Sequence, residues 1–181
     1  MNETMNETLN EQKTVTISAT AVRYGLIVGL ICVIYSLILS LADLSMNRWL
    51  SSISYLFIIA GMVMAFKYFK AHNGGFMSYG QGLGIGTLMS LIAGFITSVF
   101  MFIYVKFIDT TIMDKAMDMQ RIEMENRGMS DAEIDQAMEM AGKFAGPEMV
   151  LIGGTFGFLF IGFIIALIVS AIMKHTRPEF E

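Results

Sequence analysis

Charge is scarce in this chain. Only 15% of its 181 residues are charged, where an ordinary soluble domain carries about 25%. Between Gly80 and Val105 there is no Asp, Glu, Lys, Arg or His. Cysteine is nearly absent too. Cys32 is the only one, so no internal disulfide can form. It lies within an apolar run, with no thiol or imidazole near it in sequence, and reads as a buried packing residue. Histidine occurs twice, as His72 and His175, each close to a Lys or Arg at the end of an apolar run. That spacing makes no metal site, and both read as interface residues. No Ser/His/Asp arrangement or nucleophile elbow appears. No ionisable side chain falls in the middle of an apolar run, and ion-coupled transporters, proton pumps and intramembrane hydrolases need one there. The formal net charge of −4 comes without a basic stripe, which argues against nucleic acid as a partner. The expectation is a protein that is not an enzyme, with no catalytic, cofactor-binding or metal-binding residue and no cofactor.

Hydrophobicity is what the chain has instead: 55% of its residues are hydrophobic, and the mean hydropathy is +0.61. They gather into four continuous runs, at about 24–42, 50–66, 82–105 and 149–173. A hydrocarbon core of about 30 Å needs about 20 helical residues, so each run predicts a membrane span, the second being the shortest. Barrel strands would instead alternate apolar and polar residues in pieces of about ten. The expected fold class is an all-α membrane protein, a four-transmembrane-helix bundle over residues 23–175. Residues 1–22, opening on a duplicated Met-Asn-Glu-Thr, are expected to form a disordered polar N-tail ahead of a retained signal anchor. Residues 176–181 form a C-tail. Arg23, Lys67, Lys70, Lys174 and Arg177 flank the spans on one side, and only Arg48 and Lys106 lie as close on the other. The positive-inside rule therefore puts both termini in the cytoplasm. Tyr24, Trp49, Tyr68, Tyr79 and Tyr104 fit aromatic belts. Tyr35 is mid-span, where its hydroxyl should find a partner on another helix.

Residues 107–148 form an acidic loop between spans three and four. It reads as two helices, extracytoplasmic on the topology above. The first covers about Thr110 to Asn126 and stops at Gly128. The second starts at Ser130, which has capping-box spacing with Glu133: the hydroxyl accepts from the Glu133 amide and the carboxylate from the Ser130 amide. Ile134, Ala137, Met138, Ala141 and Phe144 then recur at helical spacing, and Gly146-Pro147 ends the helix. Asp131, Glu133, Asp135 and Glu139 lack the spacing of a calcium loop and read as a solvated face. Eight of the seventeen methionines fall in residues 113–149. Met113, Met117 and Met124 are of a type that binds soft metals, but with no histidine in the loop they read as adaptable packing.

Small residues recur at every fourth position of the third span: Gly82, Gly86, Ser90, Gly94 and Ser98. Shorter series are Ala21, Gly25, Gly29 in the first span and Gly61, Ala65 in the second. The fourth has Gly153 and Gly157, then Gly162, Ala166 and Ser170. Such positions let helix backbones approach closely. They either pack the bundle against itself or offer a face to a second copy or a membrane-protein partner. The alternating glycines from Gly80 to Gly86 lack the Lys-Ser/Thr of a phosphate loop and read as a closely packed helix start. With membrane lipid as the surroundings, the expected role is a non-enzymatic helix-packing or interaction protein, an accessory subunit or a homo-oligomer. The alternative is a small oligomeric channel or carrier for a neutral or apolar solute, its lumen lined by hydroxyls such as Ser90, Thr97, Ser98 and Thr155.

Four stretches carry a resemblance. Tyr24-Gly25-Leu26-Ile27-x-Gly29 opens the first span. Tyr79-Gly80-Gln81-Gly82 opens the third, and Tyr104-x-Lys106-Phe107-Ile108-Asp109 closes it. Ala166-Leu167-Ile168-x-Ser170-Ala171-Ile172 lies near the end. With these the chain resembles domain-of-unknown-function family 4199, four-span membrane proteins of Bacteroidota, over nearly all of residues 20–175. The resemblance implies a four-helix architecture in a bacterial cytoplasmic (inner) membrane and brings no catalytic residues.

Overall fold

A computed structural model describes residues 15–144 and 146–176, without the side chain of Phe144. The expectations for residues 1–14 and 177–181, Arg177 included, lie outside the described residues. Helix α1 spans Ile17–Leu41, α2 Arg48–Ala71 and α3 Tyr79–Ile103, which continues as a π-helical turn over Tyr104–Ile108. Two shorter helices follow, α4 (Thr111–Asn126) and α5 (Asp131–Phe144), and then α6 (Pro147–Met173). Four of these, α1, α2, α3 with its π turn, and α6, are long and apolar enough to cross a membrane. The protein is thus a multi-pass, all-helical membrane protein.

The helix ends follow local chemistry. The expected N-tail of 1–22 is corrected at residues 17–22, which belong to α1. Thr16 caps that helix by accepting from the Ala19 amide at 3.1 Å, and Thr20 and Ala21 are fully buried against the bundle. A capped start with packed residues extends a helix at little cost past the end of its apolar run. Helix α2 also outruns expectation, reaching Ala71 through Lys67 and Lys70, because cations suit a helix C-terminus and their stems can snorkel. At the start of α3, the Gln81 amide donates to Ser78 Oγ at 3.2 Å. The Ser78 amide donates to Gln81 Oε1 at 2.8 Å, completing a capping box. Gly128 closes α4 as expected. Its φ of +76° suits glycine, and the next amide, Met129, donates to the Met124 carbonyl.

Helix α3 is the centre of the bundle, packed between α1 and α6, while α2 leans on α1 and closes the remaining side. The main core is apolar. Cys32, Ile58, Met62, Phe66, Ile85 and Met89 are all fully buried in it. A second cluster forms where α3 leaves the bundle, with Tyr104, Val105 and Ile112 packed by Leu37, Met46 and Phe100. At the opposite end the chain is pinned to itself. Met77 and His175 exchange backbone hydrogen bonds of 2.8 Å, and Lys70 Nζ donates to the Met173 carbonyl at 2.8 Å.

Candidate interaction surfaces

The small residues of α3 are used inside the chain. Gly82, Gly86, Ser90, Gly94 and Ser98 are all buried. They meet Ser170, Ala166, Gly162, Phe158 and Gly154 of α6 in turn, an antiparallel register advancing four residues at each pair. The approach is too close for larger side chains. A Cβ on Gly86 would sit 2.7 Å from the Ala166 Cβ, and one on Gly94 would sit 2.6 Å from the Phe158 Cβ. A four-residue step overshoots the 3.6-residue turn by about 40°, so keeping this stripe in contact wraps the pair in the right-handed sense. Without a hydrophobic force between helices in lipid, this dispersion contact is a main term holding α3 to α6. The α1 series is also internal: a Cβ on Gly25 would meet Met89 and Ile92, and one on Gly29 would meet Ala93 and Ile96. Gly61 of α2 backs onto Val28.

The fourth-span series differs from expectation. Gly153 and Gly157 do not belong to the seam; a Cβ on either would meet nothing within 4 Å. The seam runs through Gly154 and Phe158, one position on, because Phe158 packs into the gap left by Gly94. Gly153 and Gly157 therefore lie on the outer face of α6 beside Ile152, Phe156 and Phe160, all exposed. A groove of about 400 Å³ adjoins this face, lined by Thr87, Phe156, Leu159, Phe160 and Phe163. The Thr87 hydroxyl in its wall is buried and has no hydrogen-bond partner among the described residues.

The hydroxyls expected around a lumen turn to their own backbones. Ser90, Thr97 and Thr155 each donate to the carbonyl four residues earlier, at 2.8 Å, the usual way a helix satisfies a hydroxyl in an apolar setting. Ser98 packs on Gly154. Tyr35 meets its expectation: its hydroxyl donates across to the Leu50 carbonyl of α2 at 2.7 Å, and its ring stands edge-on to Phe57. The histidines sit at the pinned end. His72 packs on Tyr68, which also meets the Tyr24 ring and the Arg23 guanidinium, and His175 stacks on Phe76.

Electrostatics divides the two ends. Asp43, in the α1–α2 connection, pairs with Lys115 of α4 at 3.1 Å, and Arg48 of α2 reaches Glu123 at 3.9 Å. Lys106 pairs with Glu148. Arg121, Arg127 and Lys143 pair with carboxylates within or between α4 and α5. Every basic side chain at this end thus has an acidic partner. At the pinned end Arg23, Lys67, Lys70 and Lys174 have none among the described residues, so the described part of that end is net positive. The predicted box at α5 forms in altered form: Glu133 accepts from both the Ser130 amide and the Ser130 hydroxyl, at 2.9 and 2.7 Å. The hydroxyl is a donor here, drawn to the ionised carboxylate, and the two bonds hold the Glu133 carboxyl below its ordinary pKa. Asp109 is likewise held low by accepting from the Thr111 hydroxyl and amide.

Sequence reasoning missed Phe158 as a seam residue, since spacing alone favours small side chains. It also missed the Ser78–Gln81 box, although Ser-x-x-Gln is its visible signature. A family model described as Protein of unknown function (DUF4199) matches residues 23–175. No curated protein and no solved structure matches the chain.

Proposed function

The chain belongs to the DUF4199 family, and on that footing we propose that it is a non-enzymatic interaction protein whose outer α6 face docks a transmembrane helix of a second copy or of a partner. The carrying observation is the open pair Gly153 and Gly157, with no packing neighbour, beside the groove of Phe156, Phe160 and Phe163. Every other small-residue series is consumed within the bundle, so α6 holds the face where another backbone can still come close. The apolar core and the self-satisfied hydroxyls support this reading over a solute channel. The test is a contrast. Gly157→Leu should leave the melting temperature unchanged and reduce the oligomer or complex seen on gel filtration in mild detergent. Gly86→Leu should cost about 1–3 kcal/mol of stability through overpacking. Loss of stability in both, or no change of size in Gly157→Leu, contradicts the proposal.

The location proposed is the bacterial cytoplasmic membrane, with both termini inside and the α4–α5 pair outside. Its support is the unpaired positive end formed by Arg23, Lys67, Lys70 and Lys174. A single cysteine placed between residues 130 and 140 should react with an impermeant reagent in intact cells; reaction only after lysis contradicts this topology.

A further inference from the structure

A second feature lies apart from the α6 face. Ser36 and Ser40 of α1, Ser45 of the connection, and Ser51 and Ser54 of α2 line a crevice of about 180 Å³, with Leu39 and Met101 supplying its apolar wall. Ser51 Oγ donates to the Ser45 carbonyl at 3.1 Å. The hydroxyls of Ser36, Ser40, Ser45 and Ser54 make no hydrogen bond to the described residues. Elsewhere in these helices Thr20, Ser52, Ser90, Thr97 and Thr155 all bond to a carbonyl four residues back. Thr87 and Ser170 are buried without a partner among the described residues, whereas these four hydroxyls are half-buried and gather beside one crevice, open to a partner from outside the chain. No ionisable side chain lines the crevice. The C-terminal end of α1 and the N-terminal end of α2 both border it, so their opposite partial charges offset each other. Hydroxyls both donate and accept. We infer that this crevice is a binding site for a small uncharged solute dense in hydroxyls, a short polyol, reached from the side of α4 and α5. Its volume of about 180 Å³ is that of about six waters at about 30 Å³ each, room for such a molecule.

Erythritol is the probe, and cysteine protection is the readout. The full chain in detergent carries Ser54→Cys, with Leu44→Cys, exposed in the same connection, as the control. The parent chain sets the background, because Cys32 is fully buried. Erythritol should slow labelling of Ser54→Cys by a small thiosulfonate along a saturating curve, by about fivefold at four times its dissociation constant. Leu44→Cys should react at an unchanged rate. Equal slowing at both positions, no slowing at either, or no labelling of Ser54→Cys in the folded protein overturns the inference. Should Ser54→Cys fail to fold, Ser36→Cys takes its place with the same outcomes. These results do not depend on oligomer size, so this inference and the role of α6 fail separately.

Discussion

Two hydroxyls in similar surroundings have opposite consequences. Tyr35 reaches the Leu50 carbonyl and ties α1 to α2, so Tyr35→Phe should cost about 1 kcal/mol, read as a lower melting temperature at unchanged fold. Ser170 is fully buried against Gly82 and its hydroxyl has no partner among the described residues. Removing an unsatisfied buried group relieves a desolvation cost of about 1–3 kcal/mol. Ser170→Ala should therefore leave the melting temperature equal or raise it, and a clear drop would show that the hydroxyl is satisfied in the membrane. Ala166, one turn away against Gly86, already shows that alanine fits this seam.

At the scale of elements, the α4–α5 pair rests on short-range bonds more than on a core. Ile112 and Ile134 are its buried large residues among those described, and its ion pairs are exposed, worth about 0–1 kcal/mol each. Glu133 holds the start of α5 through Ser130, with its carboxyl pKa lowered by those bonds. A group whose pKa is lowered on folding stabilises above its unfolded value and loses that contribution as pH falls through the folded one. Amide exchange at the α5 start should accelerate as pH drops below the ordinary glutamate range, after correction for intrinsic rates, and Glu133→Gln should remove that dependence. The existence of α4 and α5, the stop at Gly128 and the four spans were legible in sequence, because each is written in local pattern: apolar runs, a glycine past a helix end, a Ser-x-x-Glu. Partners across the bundle were not. Whether Gly153 or Gly154 faces α3 depends on a one-residue rotation of α6, settled by where the Phe158 ring finds room beside Gly94. The serine crevice was equally hidden, since Ser36, Ser40, Ser45, Ser51 and Ser54 come together only when α1 turns back into α2.

Over the whole molecule, the small residues serve two ends. Those of α1, α2, α3 and most of α6 pull three helices around a central α3, while Gly153 and Gly157 stay open on the outer face. Among the described residues the pinned end is net positive, while the α4–α5 end pairs every base and keeps an excess of acids, an asymmetry that fits one fixed orientation in a charged bilayer. The role proposed here places the protein's work on a helix face. The most direct test is a photo-crosslinking amino acid at position 160 of α6, compared with one at position 34 of α1, where Ile34 is as exposed but has no open glycine pair beside it. In native membranes, position 160 should give a discrete adduct of defined mass and position 34 only diffuse lipid-sized products. A discrete adduct at position 34, or none at position 160, would contradict the account.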